Sequence, residues 1–208
     1  TIKEDKNVEI FPYPELVFNA FNYSDPNKVK VVFIGQDPYP NFQTINKKNI
    51  PDAMGLSFSV PIGSKIPSSL HNIFQNAVKF KHLKEYPKHG NLEPWAKQGC
   101  IFLNTTLTVE QKKNNGHSSL WSDVTNNIIQ KISDNNKYVV FVLWGKFALS
   151  KKKYIDTDKH ALIVSSHPSG LSCHKKMGEY PSFSELDQFA AINRILKYKK
   201  MGEIDWNL

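Results

Sequence analysis

The sequence predicts an α/β fold: a three-layer sandwich with a central, mostly parallel four-stranded sheet flanked by helices. Three observations carry this. Four short runs, residues 30–34, 100–103, 138–144 and 161–165, are rich in Val, Ile, Leu and Phe and do not alternate with polar residues. Strands covered on both faces read this way. Helical periodicity fills the intervals, and strands alternating with helices build parallel crossovers. No linker, repeat or low-complexity segment divides the 208 residues. The chain therefore reads as a single domain over 1–208, with residues 1–9 as a peripheral arm.

Each helix has a local cause. Residues 69–79 place Leu70, Ile73, Phe74 and Ala77 on one face. Residues 92–98 end at Gly99, a C-cap residue. Residues 123–132 open on a capping Asp123 and keep Val124, Ile128 and Ile132 in a stripe. Residues 182–198 start from Ser182, with Glu185 three places on as in a capping box, and carry Leu186, Phe189, Ile192 and Leu196. Residues 40–54 are the longest unpatterned polar stretch and read as an exposed loop. The lysine clusters at 151–153 and 197–200 read as solvated helix faces.

Composition narrows the partner. Lys and Arg number 27 against 19 Asp and Glu, a net charge of +8. Such a balance favours a polyanion such as nucleic acid. Arg194 is the only arginine, which argues against base reading by bidentate guanidinium. No apolar run reaches the length of a membrane span. Cys100 and Cys173 are the only cysteines, neither a disulfide framework nor a zinc set. They suggest a reducing, intracellular setting. The first residue is Thr1 rather than Met, so a targeting segment is expected to be missing.

Polar residues follow each expected strand. Gln36, Asp37 and Tyr39 follow the first, Asn104 the second, Gly145 and Lys146 the third, and His167, Ser169 and Ser172 the fourth. In open α/β sheets ligands bind beyond the carboxyl ends of the strands, so these segments converge on one edge. Asp37 either caps a turn or is a carboxylate aimed by its prolines. Asn104 is either a structural clamp or an amide that reads a base edge. His167 is either a packed turn residue or part of an acid–base set with Asp37 and Asn104. Phe58 is either core or a stacking platform. Ser69, Ser169 and Ser172 either shape turns or bond phosphate oxygens. Pattern alone gives a basic α/β domain with this set and no metal cluster; it does not name a reaction.

Longer segments bring in a resemblance. "GQDPYP", "GLSFSV", "IPSSL", "NLEPWAKQGCIFLNTTLTV", "VVFVLWGKFA" and "HPSGLSCHKKM" resemble, in order, the motifs of the uracil-DNA glycosylase family in its main branch, family 1. The likeness runs from about Ile10 to Trp206.

The resemblance implies a monofunctional DNA-repair hydrolase that flips uracil out of DNA and cuts its N-glycosidic bond, with no metal and no cofactor. Asp37 and His167 would be catalytic. Gln36, Tyr39, Phe58 and Asn104 would bind uracil, and Ser69, Lys146, Ser169, Leu171 and Ser172 would contact DNA. His117 would lie near the catalytic acid, and Pro40 beside the water site. Expected partners are uracil-containing DNA, replication or repair proteins and a DNA-mimicking inhibitor protein; the chain is expected to be a monomer without membrane attachment. The expected compartment is the nucleus or mitochondrion in a eukaryote and the cytoplasm in a bacterium. The rival readings are a DNA-docking subunit without chemistry and a glycosylase for mismatched thymine.

The chain departs from the family pattern at four places. Pro40 stands for histidine, Lys146 for serine and Gly170 for proline, and residues 41–54 exceed the family's length by roughly eight.

Overall fold

The computed structural model describes residues 8–113 and 116–208. The arm expected over 1–9 lies outside them up to residue 7. In chain order the elements are β1 (Ile10–Phe11), β2 (Val31–Gly35), β3 (Phe42–Ile45), β4 (Lys48–Pro51), α1 (Ser68–Lys79), α2 (Glu93–Ala96), β5 (Cys100–Asn104), β6 (Val109–Glu110), α3 (Ser118–Asn135), β7 (Val140–Trp144), α4 (Gly145–Leu149), β8 (Ala161–Ser165) and α5 (Gln188–Tyr198).

The expected sheet is present. Its order is β5-β2-β7-β8, and every neighbouring pair is parallel. The strands resist an alternating pattern because both faces are covered. Val31 and Phe33, Cys100 and Phe102, Val140 and Val142 face a layer with Leu70, Phe74, Trp95, Phe189 and Ile192. The residues between them, Val32, Ile34, Ile101, Leu103, Phe141 and Leu143, face Ile129, Ile132 and Ala148 on the other side. Phe33 and Phe102 are register partners on adjacent strands. Their rings stack with centroids 4.7 Å apart, a contact that contributes about 0.5–1.5 kcal/mol beyond its area.

β2 is central, with β5 on one side and β7 on the other. The chain leaves β2 through α1 and α2 over one face to reach β5, then passes through α3 over the other face to β7. The crossovers thus diverge at the carboxyl end of β2, the kind of switch point where α/β sheets open a crevice.

Three local expectations change. First, α3 begins at Ser118 rather than Asp123. Its inward face is Thr125, Ile129 and Ile132, whereas Val124 is 44% exposed. The Thr125 hydroxyl donates to the Thr105 carbonyl at 2.6 Å, which ties the inward face of the helix to the segment after β5. Second, α5 begins at Gln188, where the Asp187 carboxylate accepts from the Ala190 N–H at 3.0 Å. Ser182 does donate to Glu185 at 2.6 Å, but the pair closes a turn instead of capping the helix. Third, the exposed loop over 40–54 contains a hairpin. β3 and β4 pair antiparallel from Phe42↔Pro51 to Ile45↔Lys48. Asn46 and Lys47 turn the chain at φ 50 and 64, the left-handed pair of a two-residue hairpin turn.

Candidate active site

The carboxyl ends of the four strands carry the expected residues. Gly35 and Asn104 end β2 and β5 and face each other in register. Trp144 ends β7 beside Ser165 of β8, and His167 follows two residues later.

Asp37 stands just past β2, half-buried. Burial pushes its carboxyl above the usual range, while hydrogen bonds from Thr106 and Gln36 hold it down. The segment after β5 is tied to the same loop. Thr105 N–H donates to the Gly35 carbonyl at 3.1 Å and Thr106 N–H to the Gln36 carbonyl at 2.9 Å. The Thr105 hydroxyl adds a bond to the Gln36 carbonyl at 3.2 Å. The carboxylate is therefore aimed by backbone bonds from a second strand. Desolvation makes it a stronger base toward a water or a cation.

Asn104 is 8% exposed. Its amide makes no hydrogen bond with another of the described residues. A buried amide left open is costly in a stable core and useful where a ligand completes it. Gly35 leaves the room. A Cβ there would collide with Asn104 Oδ1 and stand 2.7 Å from Ser57 Cβ. The glycine thus serves close approach beside the amide.

Tyr39 and Phe58 form one unit. The Tyr39 hydroxyl donates to the Phe58 carbonyl at 3.1 Å, and burial pushes the phenol well above its usual pKa. Phe58 itself holds φ at 65. Such backbone costs about 1–3 kcal/mol and persists where the surroundings impose it. Its ring lies edge-on to Trp144 at 5.4 Å and 6.2 Å from the His167 ring.

His167 is partly buried, and desolvation holds its pKa below the usual value. Its Nδ1 accepts from the Ser169 N–H at 3.0 Å. In the neutral ring the proton then sits on Nε2, which becomes a hydrogen-bond donor. Gly145, at φ +90, packs against it, and a Cβ there would lie 3.0 Å from His167 Cβ.

The loop after His167 is exposed at its tip. Leu171 is 85% exposed and stands out from the loop with its side chain in solvent. The loop has a fixed base: Ser172 and Cys173 N–H both donate to the Ser169 carbonyl at 2.9 Å. Asn72 of α1 donates to the Pro168 carbonyl at 2.7 Å. Ser69 lies in the first turn of α1, and Lys146 is exposed on α4.

His117 is buried just before α3. Its Nδ1 lies 2.9 Å from the Thr108 hydroxyl, which also accepts from Trp121 at 2.7 Å. Its Nε2 faces Glu110 at 3.6 Å, too far for a hydrogen bond. The Pro40 carbonyl accepts from Lys112 N–H at 2.8 Å, which tethers the chain beyond Tyr39.

Sequence reasoning missed Thr106, Trp144 and Asn72. Thr106 sat in "NTT" directly after a strand, and that position was the available signal. No group of three or more His, Cys, Asp or Glu among the described residues is placed to hold a metal ion. No described helix is long and apolar enough to cross a membrane.

Comparison with known proteins places this arrangement in a family. The family model of the uracil DNA glycosylase superfamily matches residues 21–197. A uracil-DNA glycosylase of Francisella tularensis subsp. novicida is 44% identical over 96% of this chain and 84% of its own length. A probable uracil-DNA glycosylase of Acanthamoeba polyphaga mimivirus is 39% identical over 98% of this chain, which spans 57% of that relative. A crystal structure of the mimivirus uracil-DNA glycosylase superposes with a TM-score of 0.91 over 98% of this chain and 76% of its own, at 40% identity. A mimivirus UNG variant solved in complex with UGI also aligns at 0.91. With the sheet, the motif order and the family match all agreeing, the chain belongs to the uracil DNA glycosylase superfamily.

Proposed function

We infer that this chain excises uracil from DNA: it draws the nucleotide out of the stack and hydrolyses the N-glycosidic bond, leaving an abasic site. The observation that carries the reading is the buried, open amide of Asn104 beside Gly35. An amide donates with one end and accepts with the other. It suits uracil, which offers O4 as acceptor and N3–H as donor. Cytosine reverses both and leaves buried groups mismatched, at a cost of about 1–3 kcal/mol each.

The remaining roles follow from chemistry. A base must leave the stack before a protein can reach its sugar bond. Leu171 enters the space vacated, as apolar wedges do. Phe58 stacks on the base, and the Gln36 and Phe58 main chains help hold its oxygens. Tyr39, braced by its bond to the Phe58 carbonyl, closes the space beside C5 and excludes the thymine methyl. Asp37 orients water and faces the cationic sugar that develops as the bond breaks. His167 donates Nε2–H to uracil O2 as negative charge collects on the base. Stabilising charge where it develops is the main lever. Ser69, Lys146, Ser169 and Ser172 hold the flanking phosphates.

The finer placement in family 1 rests on the order of motifs and on Asp37 directly after Gln36. A single monomeric domain over the chain, working beside DNA inside the cell, completes the reading. The DNA-facing edge also fits an inhibitor protein that mimics DNA; replication or repair partners would bind elsewhere. The intact set of Asp37, Tyr39, Asn104 and His167 favours this reading over a docking subunit without chemistry.

Asn104→Asp provides the test. A carboxyl in its protonated form presents a donor and an acceptor in the order cytosine needs. The variant is expected to release cytosine from an oligonucleotide that wild type leaves intact, and to release uracil about 10-fold or more slowly. Uracil-to-cytosine selectivity equal to wild type would remove Asn104 from this role.

A further inference from the structure

We propose that the β3–β4 hairpin is an additional DNA-backbone clamp, in which Lys47 and Lys48 hold a phosphate outside the contacts made by Ser69, Lys146 and the Leu171 loop. The proposal rests on the uracil-excision reading for its ligand, but its own basis is the build and charge of the hairpin.

The hairpin is a fixed element. Its base is anchored by Phe42, which packs against Phe11, Ala53 and Val109. Gln43 then clamps it to the next loop. Its Oε1 accepts from the Lys65 N–H at 2.7 Å, and its Nε2 donates to the Asp52 carboxylate at 2.6 Å and the Lys65 carbonyl at 3.4 Å. Ile45 packs over Gly63, where a Cβ would meet it at 3.3 Å. Three residues beyond Lys65 the chain enters α1 with Ser68 and Ser69. The hairpin therefore flanks the loop that delivers Ser69, and it springs directly from the Asp37–Tyr39 segment. It shares the site's edge of the molecule.

Its charge is one-sided. Asp52 is the only acidic residue between Asp37 and Glu85, and it is 7% exposed and bound to Gln43. The exposed charges along this stretch begin with Lys47, Lys48 and Lys65 and are all positive. Asp52 being buried and bound to Gln43, the stretch presents only positive charge at the surface, the sign that suits a phosphate.

Left-handed backbone at the second turn position is ordinarily supplied by glycine. Here Lys47 holds it at φ 64. The arrangement supplies a clean variant, because Lys47→Gly removes the charge and relaxes the turn. Lys48 is a strand residue paired with Ile45, and threonine suits that position.

The experiment measures binding of Lys47→Gly/Lys48→Thr to a uracil-containing duplex by fluorescence anisotropy across a salt series, beside turnover. A control with the same charge change, Lys28→Thr/Lys137→Thr, alters exposed lysines next to the amino ends of β2 and β7. Each phosphate contact contributes roughly 0.7–0.9 to the slope of log affinity against log salt. The hairpin variant is expected to lose about 0.9 of slope on the duplex, the share of one phosphate, with kcat at saturating DNA unchanged, while the control keeps the wild-type slope. A hairpin variant with the wild-type slope would overturn the proposal and leave the hairpin to a protein partner. Equal loss in the control would also overturn it, by assigning the effect to net charge. Absence of uracil release by wild type would refute the excision reading alone, since the binding slope is read independently of turnover.

Discussion

Asp37→Asn is expected to slow single-turnover uracil release about 10²–10⁴-fold, the range for removing a positioned general base. Affinity for uracil-containing DNA should stay near wild type, because the lost interaction acts on the water and on the sugar as it becomes cationic. Asparagine keeps the shape and the possible bonds to Thr106 and Gln36 but removes the charge. The pH profile gives a second signature. Asp37 works when ionised, and burial raises its pKa above the usual carboxylate value. The rate should therefore be full above this raised value and fall as pH drops through it. In Asp37→Asn that acid limb should vanish. A variant with the wild-type rate, or one that keeps the limb, would assign the water to another group.

His167→Ala is expected to cost about 10²–10³-fold in the same step, as for loss of one preorganised donor to a developing oxyanion. The contact with Ser169 leaves Nε2 as the donor, and depression of the pKa keeps the ring neutral. Its work is to stabilise negative charge on the departing base. A base that carries that charge more easily needs less help. With 5-fluorouracil in the DNA, the penalty of His167→Ala should shrink, whereas that of Asp37→Asn should not. Equal penalties on both bases would separate His167 from the leaving group. The two variants thus divide the transition state into its sugar side and its base side.

Much of this was legible before the fold was known. The four strands could be read because burial on both faces removes polar residues from them, and the positions after Ile34, Leu103 and Ser165 then stood out. Asp37, Asn104 and His167 were visible for that reason, and the longer motifs supplied their roles. What escaped depends on contacts distant in sequence. Thr106 looks like an ordinary turn residue until the Gln36 carbonyl is seen to accept its N–H. Trp144 read as strand core until its ring met Phe58. Ser182 and Glu185 form their expected pair without starting a helix, because Asp187 offers a cap nearer the helix. The hairpin was hidden by its turn, since Asn46-Lys47 lacks the glycine that usually marks such a bend. The departure at Pro40 acquires a structural part: its carbonyl binds Lys112 N–H, so the segment behind Tyr39 is held by backbone.

The central claim is that this edge of the sheet selects uracil and cuts its sugar bond. It is tested most directly by incubating the wild-type protein with one oligonucleotide that contains a single uracil, together with cytosine and thymine, at a G·T pair among others. Alkali then reveals abasic positions. The expected result is one alkali-labile break, at uracil, with free uracil in the supernatant. An oligonucleotide that binds the protein yet stays unbroken at uracil, or breaks as fast at the G·T thymine, would contradict it.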